Sequence, residues 1–325
     1  MAAAPIRPDR LLRELDELWV SLGKEQESSD GVLRACAMTL IVCTEESAGD
    51  VGETLGMLVR DHPARLIVLR LAAGDDPGLK ARVLAQCWMP FGRRQQICCE
   101  QIEITMTAAG LEGVPPVIRG LTAPDLPVAI WFRSRTLLTS PEFEPVRKMA
   151  NKLIVDSAGI ADLKGQLDLI RGRCGGDTRV ADLAWTRLTP WRESVAAIFD
   201  DPQRLARLDG LNKVRICYQG AHRPMATCYL PAWFRHALGR PVGIEFQYAG
   251  DSPRARLYRL ALEGEGLDLS VTVEQNRRAE IHSGQLASHS VFHSLSDYEL
   301  LREELMVLGH DPVFEAVLNL APEFA

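Results

Sequence analysis

The chain has 325 residues, of which 46% are hydrophobic and 25% charged, and its formal net charge is −6. This length exceeds what one hydrophobic core usually organises, so we expect two domains. The pI of about 5.7 and the lack of a lysine and arginine cluster exclude the electrostatic footprint of a nucleic-acid-binding protein. Small molecules or another protein suit this chain better as partners.

Neither a secretory signal nor a membrane anchor is expected. The segment from Met1 to Asp9 has two prolines and no apolar core. No uninterrupted apolar run approaches the roughly 20 residues that cross a bilayer. We therefore expect a cytoplasmic protein with no membrane partner, in a compartment where thiols stay reduced. Its eight cysteines are then expected to be free, without a structural disulfide.

The N-terminal half alternates between strand and helix patterns. Apolar residues at helical spacing between Leu11 and Leu22 predict an amphipathic first helix. Asp50 is the expected cap of a second helix, which Pro63 ends. Strands are predicted over residues 35–43, 66–71, 102–106 (with Glu103 on a wetter face), 128–132 and 153–155, and a helix over 115–121. This alternation indicates a mostly parallel, three-layer α/β sheet of Rossmann-like type.

Glycines cluster within residues 171–177, where we place the domain boundary. The expected domains are an N-terminal α/β domain over 1–174 and a smaller C-terminal α+β domain over 175–325. In the second, Thr189 is the expected cap of a helix that carries Trp191. The other predicted elements are strands over 214–218 and 242–248 around a helix over 232–238, an antiparallel meander over 256–282, and helices over 296–308 and 312–320.

The candidates for a cofactor or metal site are weak. Gly49-Asp50-Val51-Gly52 opens a helix after a strand, where phosphates bind, but it is neither GxGxxG nor a Walker motif, and its carboxylates repel phosphate. His289 and His293 have helical i, i+4 spacing without a third ligand, so a surface role is favoured. No nucleophile elbow, catalytic triad or CxxC is present. We therefore predict no catalytic, cofactor or metal residues.

Three cysteines leave one alternative open. Cys98 and Cys99 are adjacent in a strand, so their side chains point to opposite faces and are not expected to be bridged. A redox switch that pairs one of them with Cys87 is the alternative, although cytosolic thiols seldom pair.

Four segments, in order along the chain, carry a family resemblance. They are His62-Pro63-Ala64-Arg65 before an apolar run, Pro124-Asp125-Leu126-Pro127-Val128 before Ile130-Trp131, Ile154-Val155-Asp156-Ser157, and Asp182-Leu183-Ala184-Trp185-Thr186-Arg187-Leu188 before Trp191-Arg192. The last is the most specific, because it fixes the offsets of two tryptophans and two arginines. Together they resemble the glucose-6-phosphate dehydrogenase assembly protein family called OpcA. Phe132 departs from the second tryptophan expected beside Trp131.

The resemblance implies a non-catalytic protein that binds glucose-6-phosphate dehydrogenase and promotes its active oligomer or its activity. Such a protein controls entry into the oxidative pentose phosphate pathway and NADPH supply, and has no cofactor of its own. The motif residues that are candidates for partner binding are Trp185, Arg187, Trp191, Arg192, His62, Arg65, Asp125 and Trp131.

Two questions stay open in the sequence. Trp185 and Trp191 fit an inter-domain core better than a partner surface, because their apolar pattern extends along the helices, whereas Arg187 and Arg192 fit interface hot spots and internal ion pairs equally. The alternative function is an enzyme or sensor that binds a sugar phosphate or nucleotide at the carboxyl ends of the parallel strands.

Overall fold

The structure is a computed structural model that describes residues 6–25, 32–90, 96–175, 177–274, 278–284, 286–293 and 295–325. The chain separates into two compact units. The first unit comprises Met1–Val155, Gly175–Val180 and Asp297–Gly309, and the second comprises Asp156–Cys174, Ala181–Ser296 and His310–Ala325. Each unit is therefore assembled from separate stretches of the chain.

The regular elements follow in chain order, with short 3₁₀ turns between some of them. Those before residue 175 are α1 (Pro8–Glu25), β1 (Val32–Arg34), β2 (Met38–Glu45), α2 (Gly52–Asp61), β3 (Ala64–Leu71), β4 (Lys80–Trp88), β5 (Gln96–Met106), α3 (Val114–Leu121), β6 (Val128–Phe132), α4 (Arg135–Thr139), α5 (Glu144–Arg147), β7 (Lys152–Val155) and α6 (Leu163–Arg171). Those after it are β8 (Arg179–Asp182), α7 (Leu183–Thr186), α8 (Thr189–Ile198), α9 (Pro202–Leu205), β9 (Leu211–Gln219), α10 (Ala226–Leu238), β10 (Gly243–Tyr248), β11 (Arg256–Gly264), β12 (Leu267–Val273), β13 (Arg278–Ser283), β14 (Leu286–Val291), α11 (Asp297–Met306) and α12 (Pro312–Leu320).

The first sheet has the strand order β1-β5-β3-β2-β6-β7-β8, and β4 pairs with β5. The pairs β2/β3, β2/β6, β3/β5 and β6/β7 are parallel, whereas β4/β5 is antiparallel. Every residue of β6 and β7 is buried, as are all residues of β2 except the last. Apolar runs without alternation are typical of parallel strands covered on both faces. The predicted mostly parallel α/β sheet is confirmed.

The second sheet has the order β10-β9-β11-β12-β13-β14. β10 is parallel to β9 and follows it through α10, whereas β9/β11, β11/β12, β12/β13 and β13/β14 are antiparallel. The predicted meander is thus present and gains a further strand, β14. This mixed sheet confirms the α+β class of the second part of the chain.

Several local predictions were wrong. α2 begins at Gly52 rather than next to Asp50, whose carboxylate instead accepts the Gly52 N–H at 3.0 Å. α8 begins at Thr189 itself, and the Thr189 hydroxyl accepts from Arg192 at 2.9 Å instead of capping the helix. Glu103 is only 7% exposed, because Arg82 contacts its carboxylate from β4 at 2.5 Å.

The expectation of no disulfide was also wrong, and the pairing present is the alternative one, between Cys87 and one of the two adjacent cysteines. β4, which the sequence pattern missed, places Cys87 directly opposite Cys98 in antiparallel register, with a Cα–Cα distance of 4.1 Å and an S–S bond. Directly opposite positions bring side chains of adjacent strands within bonding reach. Cys99 is free and buried, so the prediction that Cys98 and Cys99 are not bridged is confirmed.

α11 packs within the first unit, although it lies near the end of the chain. The buried Lys152 ammonium at the start of β7 donates to the carbonyls of Glu304 and Val307 at 2.7 and 2.9 Å. A lysine that meets the last carbonyls of a helix satisfies groups without an intrahelical partner. Among the described helices, none combines the length and the apolar character needed to span a membrane.

Candidate functional site

Two of the four motif segments meet in the second unit. Asp156 and Ser157 follow β7, whereas Asp182 caps the N-terminus of α7 and Arg187 follows that helix. Tyr229 reaches the same place from α10. We call these five residues the Asp182 cluster.

The carboxylate of Asp182 lies at the centre of the cluster and is completely buried. It accepts hydrogen bonds from the backbone N–H groups of Ser157 and Ala184 at 3.0 and 2.9 Å. The hydroxyls of Ser157 and Tyr229 also donate to it, the second at 2.7 Å. These four donors compensate the carboxylate for the hydration that it loses on burial. They also join α7, α10 and the segment after β7 at one point.

Burial sets the protonation of this cluster. It raises the pKa of the Asp182 carboxyl above its ordinary value, and the nearby charge of Asp156 raises it further. Burial likewise raises the pKa of Tyr229 well above its ordinary value, with a further contribution from the charge of Asp182. The phenol therefore keeps its proton at neutral pH and serves as a hydrogen-bond donor.

Arg187 makes a two-point ion pair at the edge of the cluster. Its Nη1 and Nη2 atoms lie 2.7 and 2.8 Å from Oδ1 and Oδ2 of Asp156. The two side chains are 33% and 31% exposed. The parallel, bidentate geometry is the strongest arrangement available to arginine and a carboxylate. Arg187 thus forms an internal ion pair, which was one of the two hypotheses for this residue.

Trp185 and Arg192 form a stack beside the cluster. The Arg192 guanidinium lies 3.7 Å from the centre of the Trp185 ring, within the range of a cation–π interaction. The ring of Trp185 packs at 6.1 Å from Tyr229 and 5.7 Å from Phe314 of α12. Trp185 is only 3% exposed. Its aromatic area therefore contributes to the core of the second unit.

Trp191 is also a core residue of the second unit. It is 6% exposed and meets Phe292 edge to face at a centroid distance of 5.2 Å. Neither Trp185 nor Trp191 presents an aromatic surface for a partner.

The three central residues of the Asp182 cluster offer no accessible reactive group. Ser157, Asp182 and Tyr229 are each fully buried, and the Ser157 hydroxyl donates its proton to the carboxylate. A nucleophile needs both a base and access to a substrate carbonyl or phosphorus. Here the Asp182 carboxylate can accept the Ser157 proton, but a substrate cannot reach the hydroxyl. The hydrogen bonds of the cluster can therefore hold three segments of the chain together. Tyr229 was not predicted, because a tyrosine in an apolar helix has no pattern that distinguishes it from other core aromatics.

The Arg65 motif residue belongs to another buried network, in the first unit. Its Nε lies 2.6 Å from Oε2 of Glu100, and its Nη1 donates to the carbonyl of Leu121 at 2.8 Å. Trp19 donates to the same carboxylate at 3.0 Å, and Arg34 is ion-paired with it. The guanidinium is thus an internal cross-link.

The other motif residues of the first unit are separate from each other. His62 follows α2, where its N–H donates to the Leu58 carbonyl at 2.8 Å. Asp125 adopts a φ of 59° in an exposed turn, a left-handed conformation that aspartate tolerates better than most residues. Trp131 is 1% exposed, and Arg133 lies 5.3 Å from its ring centre. The structure therefore does not bring the eight motif residues together into one site.

The carboxyl ends of the parallel strands are where the alternative ligand site was predicted. The Glu45 carboxylate at the end of β2 accepts from the hydroxyls of Ser134 and Thr136 at 3.1 and 3.4 Å. Asp50 lies nearby in the chain, and the Gly52 N–H lowers the pKa of its carboxyl. The hydroxyls of Ser134 and Thr136 and the Gly52 N–H thus already donate to carboxylates, whose charge repels an anion. This geometry disfavours a dinucleotide or sugar phosphate.

The histidine pair does not have the predicted geometry. His289 lies in the exposed strand β14, so helical i, i+4 spacing with His293 does not apply. Within the part of the chain that the structure describes, no group of three or more His, Cys, Asp or Glu side chains is arranged to hold a metal ion.

Comparison with protein families finds two matches in succession along the chain. The family model that describes the N-terminal domain of the glucose-6-phosphate dehydrogenase subunit matches residues 56–172. The model that describes the C-terminal domain of the same family matches residues 178–318.

Curated relatives carry a consistent name. A protein of Synechocystis sp., named as OxPP cycle protein OpcA, is 30% identical over 194 residues, which is 58% of this chain and 40% of the relative. A protein of Nostoc punctiforme with the same name is 30% identical over 201 residues, which is 61% of this chain and 42% of the relative. The matched region thus spans about two fifths of the length of these relatives.

Solved structures resemble the fold only distantly. A biliverdin reductase from Synechocystis sp., in complex with biliverdin and NADP⁺, has a TM-score of 0.45 at 11% identity and covers 88% of this chain and 96% of its own. The WlbA dehydrogenase from Thermus thermophilus, in complex with NAD and α-ketoglutarate, has a TM-score of 0.41 at 14% identity, with 88% and 94% covered. Similarity at this level carries no information about ligands of this chain.

Proposed function

We propose that this chain, which belongs to the OpcA family, is a non-catalytic factor that binds glucose-6-phosphate dehydrogenase and promotes its active oligomer. The observation that carries the proposal is the pair of family matches. The two domain models of this family match in order and together account for about four fifths of the chain. In the cell, this activity controls entry into the oxidative pentose phosphate pathway, and so NADPH supply, in the cytoplasm.

The geometry of two sites supports a role without chemistry. The most specific motif segment contributes to the Asp182 cluster, in which the side chains of Ser157, Asp182 and Tyr229 are closed to solvent. At the end of β2, Glu45 occupies the hydroxyl donors of Ser134 and Thr136. Both features fit a protein that acts by forming a complex rather than by catalysing a reaction. The proposed partner is the dehydrogenase, and no nucleic acid, membrane or cofactor is part of the proposal.

We further propose that Arg187 and Arg192 act as internal supports rather than as contacts to the dehydrogenase. Arg187 is paired with Asp156, and Arg192 is stacked on Trp185. On this proposal Arg187→Ala lowers the stability of the chain. Its binding to the dehydrogenase, expressed per folded molecule, stays that of the wild type.

The experiment that tests the function is a titration of dehydrogenase activity. Purified alone, the chain is expected neither to oxidise glucose 6-phosphate nor to reduce NADP⁺. Added to the dehydrogenase of the same organism, it is expected to raise the activity to a plateau, and the half-effect concentration reports the affinity of the interface. Heat-denatured chain serves as the control. Activity that does not change at any ratio contradicts the proposed function.

A further inference from the structure

We draw no further inference here: the strongest candidate, the two buried donors Trp131 Nε1 and Arg133 Nη1 at the carboxyl end of β6, has no hydrogen-bond partner among the described residues, but protein atoms enclose both donors and nothing in the structure shows a space that a ligand could fill.

Discussion

The Asp182 cluster and the exposed Arg259 of β11 place charged residues in opposite environments within one unit. In the cluster, the buried Asp182 carboxylate has four hydrogen-bond donors and Arg187 has a bidentate partner. The Arg259 side chain, in contrast, is exposed to solvent. A buried charge that loses its partners costs several kcal/mol, whereas an exposed charge costs little to the fold. The contrast shows that the most specific motif of the chain lies in a buried part of the second unit.

The largest expected effect is on the aromatic core of the second unit. Trp191→Ala removes a 6% exposed ring that packs against Phe292. We expect it to lower the free energy of unfolding by about 3 to 5 kcal/mol, the usual loss for a large buried aromatic. Urea denaturation measures this, with Trp191→Phe as a milder variant. A stability equal to that of the wild type contradicts the buried position of Trp191, because the residue then behaves as a surface residue.

The pH dependence of the unfolding free energy reports the pKa of Asp182 in the folded cluster. Burial, and then the charge of Asp156, raises the folded-state pKa of Asp182 above its ordinary value. The folded state therefore holds this proton more tightly than the unfolded chain does. The contribution is fully present below the unfolded pKa, about 4, and is lost as the pH rises through the folded pKa.

The measurement uses Asp182→Asn as the variant that does not titrate. The unfolding free energy of the wild type minus that of Asp182→Asn is expected to fall as the pH rises from about 4. A difference that rises with pH shows instead that the four donors outweigh burial and lower the pKa.

A smaller effect is expected for the ion pair at the edge of the cluster. Asp156 and Arg187 are each about one third exposed, so solvent screens their attraction. A double-mutant cycle with Asp156→Ala and Arg187→Ala is expected to give a coupling energy of about 0.5 to 1 kcal/mol. The cycle removes the contributions of other contacts of either residue. A coupling energy near zero shows that the pair does not stabilise the second unit.

The smallest effect on stability is expected at the exposed Arg259 of β11. Arg259→Glu is predicted to change the free energy of unfolding by less than about 0.5 kcal/mol, as is usual for an exposed residue without a specific contact. Thermal melts of this variant and of Arg254→Glu, the same charge change at an exposed position in the loop before β11, provide the check. A loss of several kcal/mol contradicts this prediction and shows that Arg259 supports the fold.

Much of the fold follows from the sequence pattern, whereas pairings at long range do not. Unbroken apolar runs predicted β2, β3, β6 and β7, and alternation predicted the meander of the second sheet. β4 was missed because Lys80 and Arg82 interrupt its apolar residues at an exposed edge. With β4 missing, the register that places Cys87 opposite Cys98 could not be inferred.

The roles of the arginines illustrate the same limit. Arg65 finds its partner Glu100 from a position 35 residues away, and Arg187 finds Asp156 from 31 residues away. The spacing of residues in the sequence does not reveal such pairs. An arginine of a motif that forms an internal ion pair therefore cannot be distinguished, from the sequence alone, from one that lies at an interface. The exposed position of Arg259, in contrast, follows from strand alternation.

The proposed assembly function is tested most directly by the mass of the dehydrogenase, measured with and without the chain. Light scattering coupled to size-exclusion chromatography, at concentrations above the half-effect value, reports both association and oligomer size. We expect a complex that contains both proteins, in which the dehydrogenase has its larger, active oligomeric state. Separate elution of the two proteins at every ratio, with an unchanged dehydrogenase mass, contradicts the proposed assembly function.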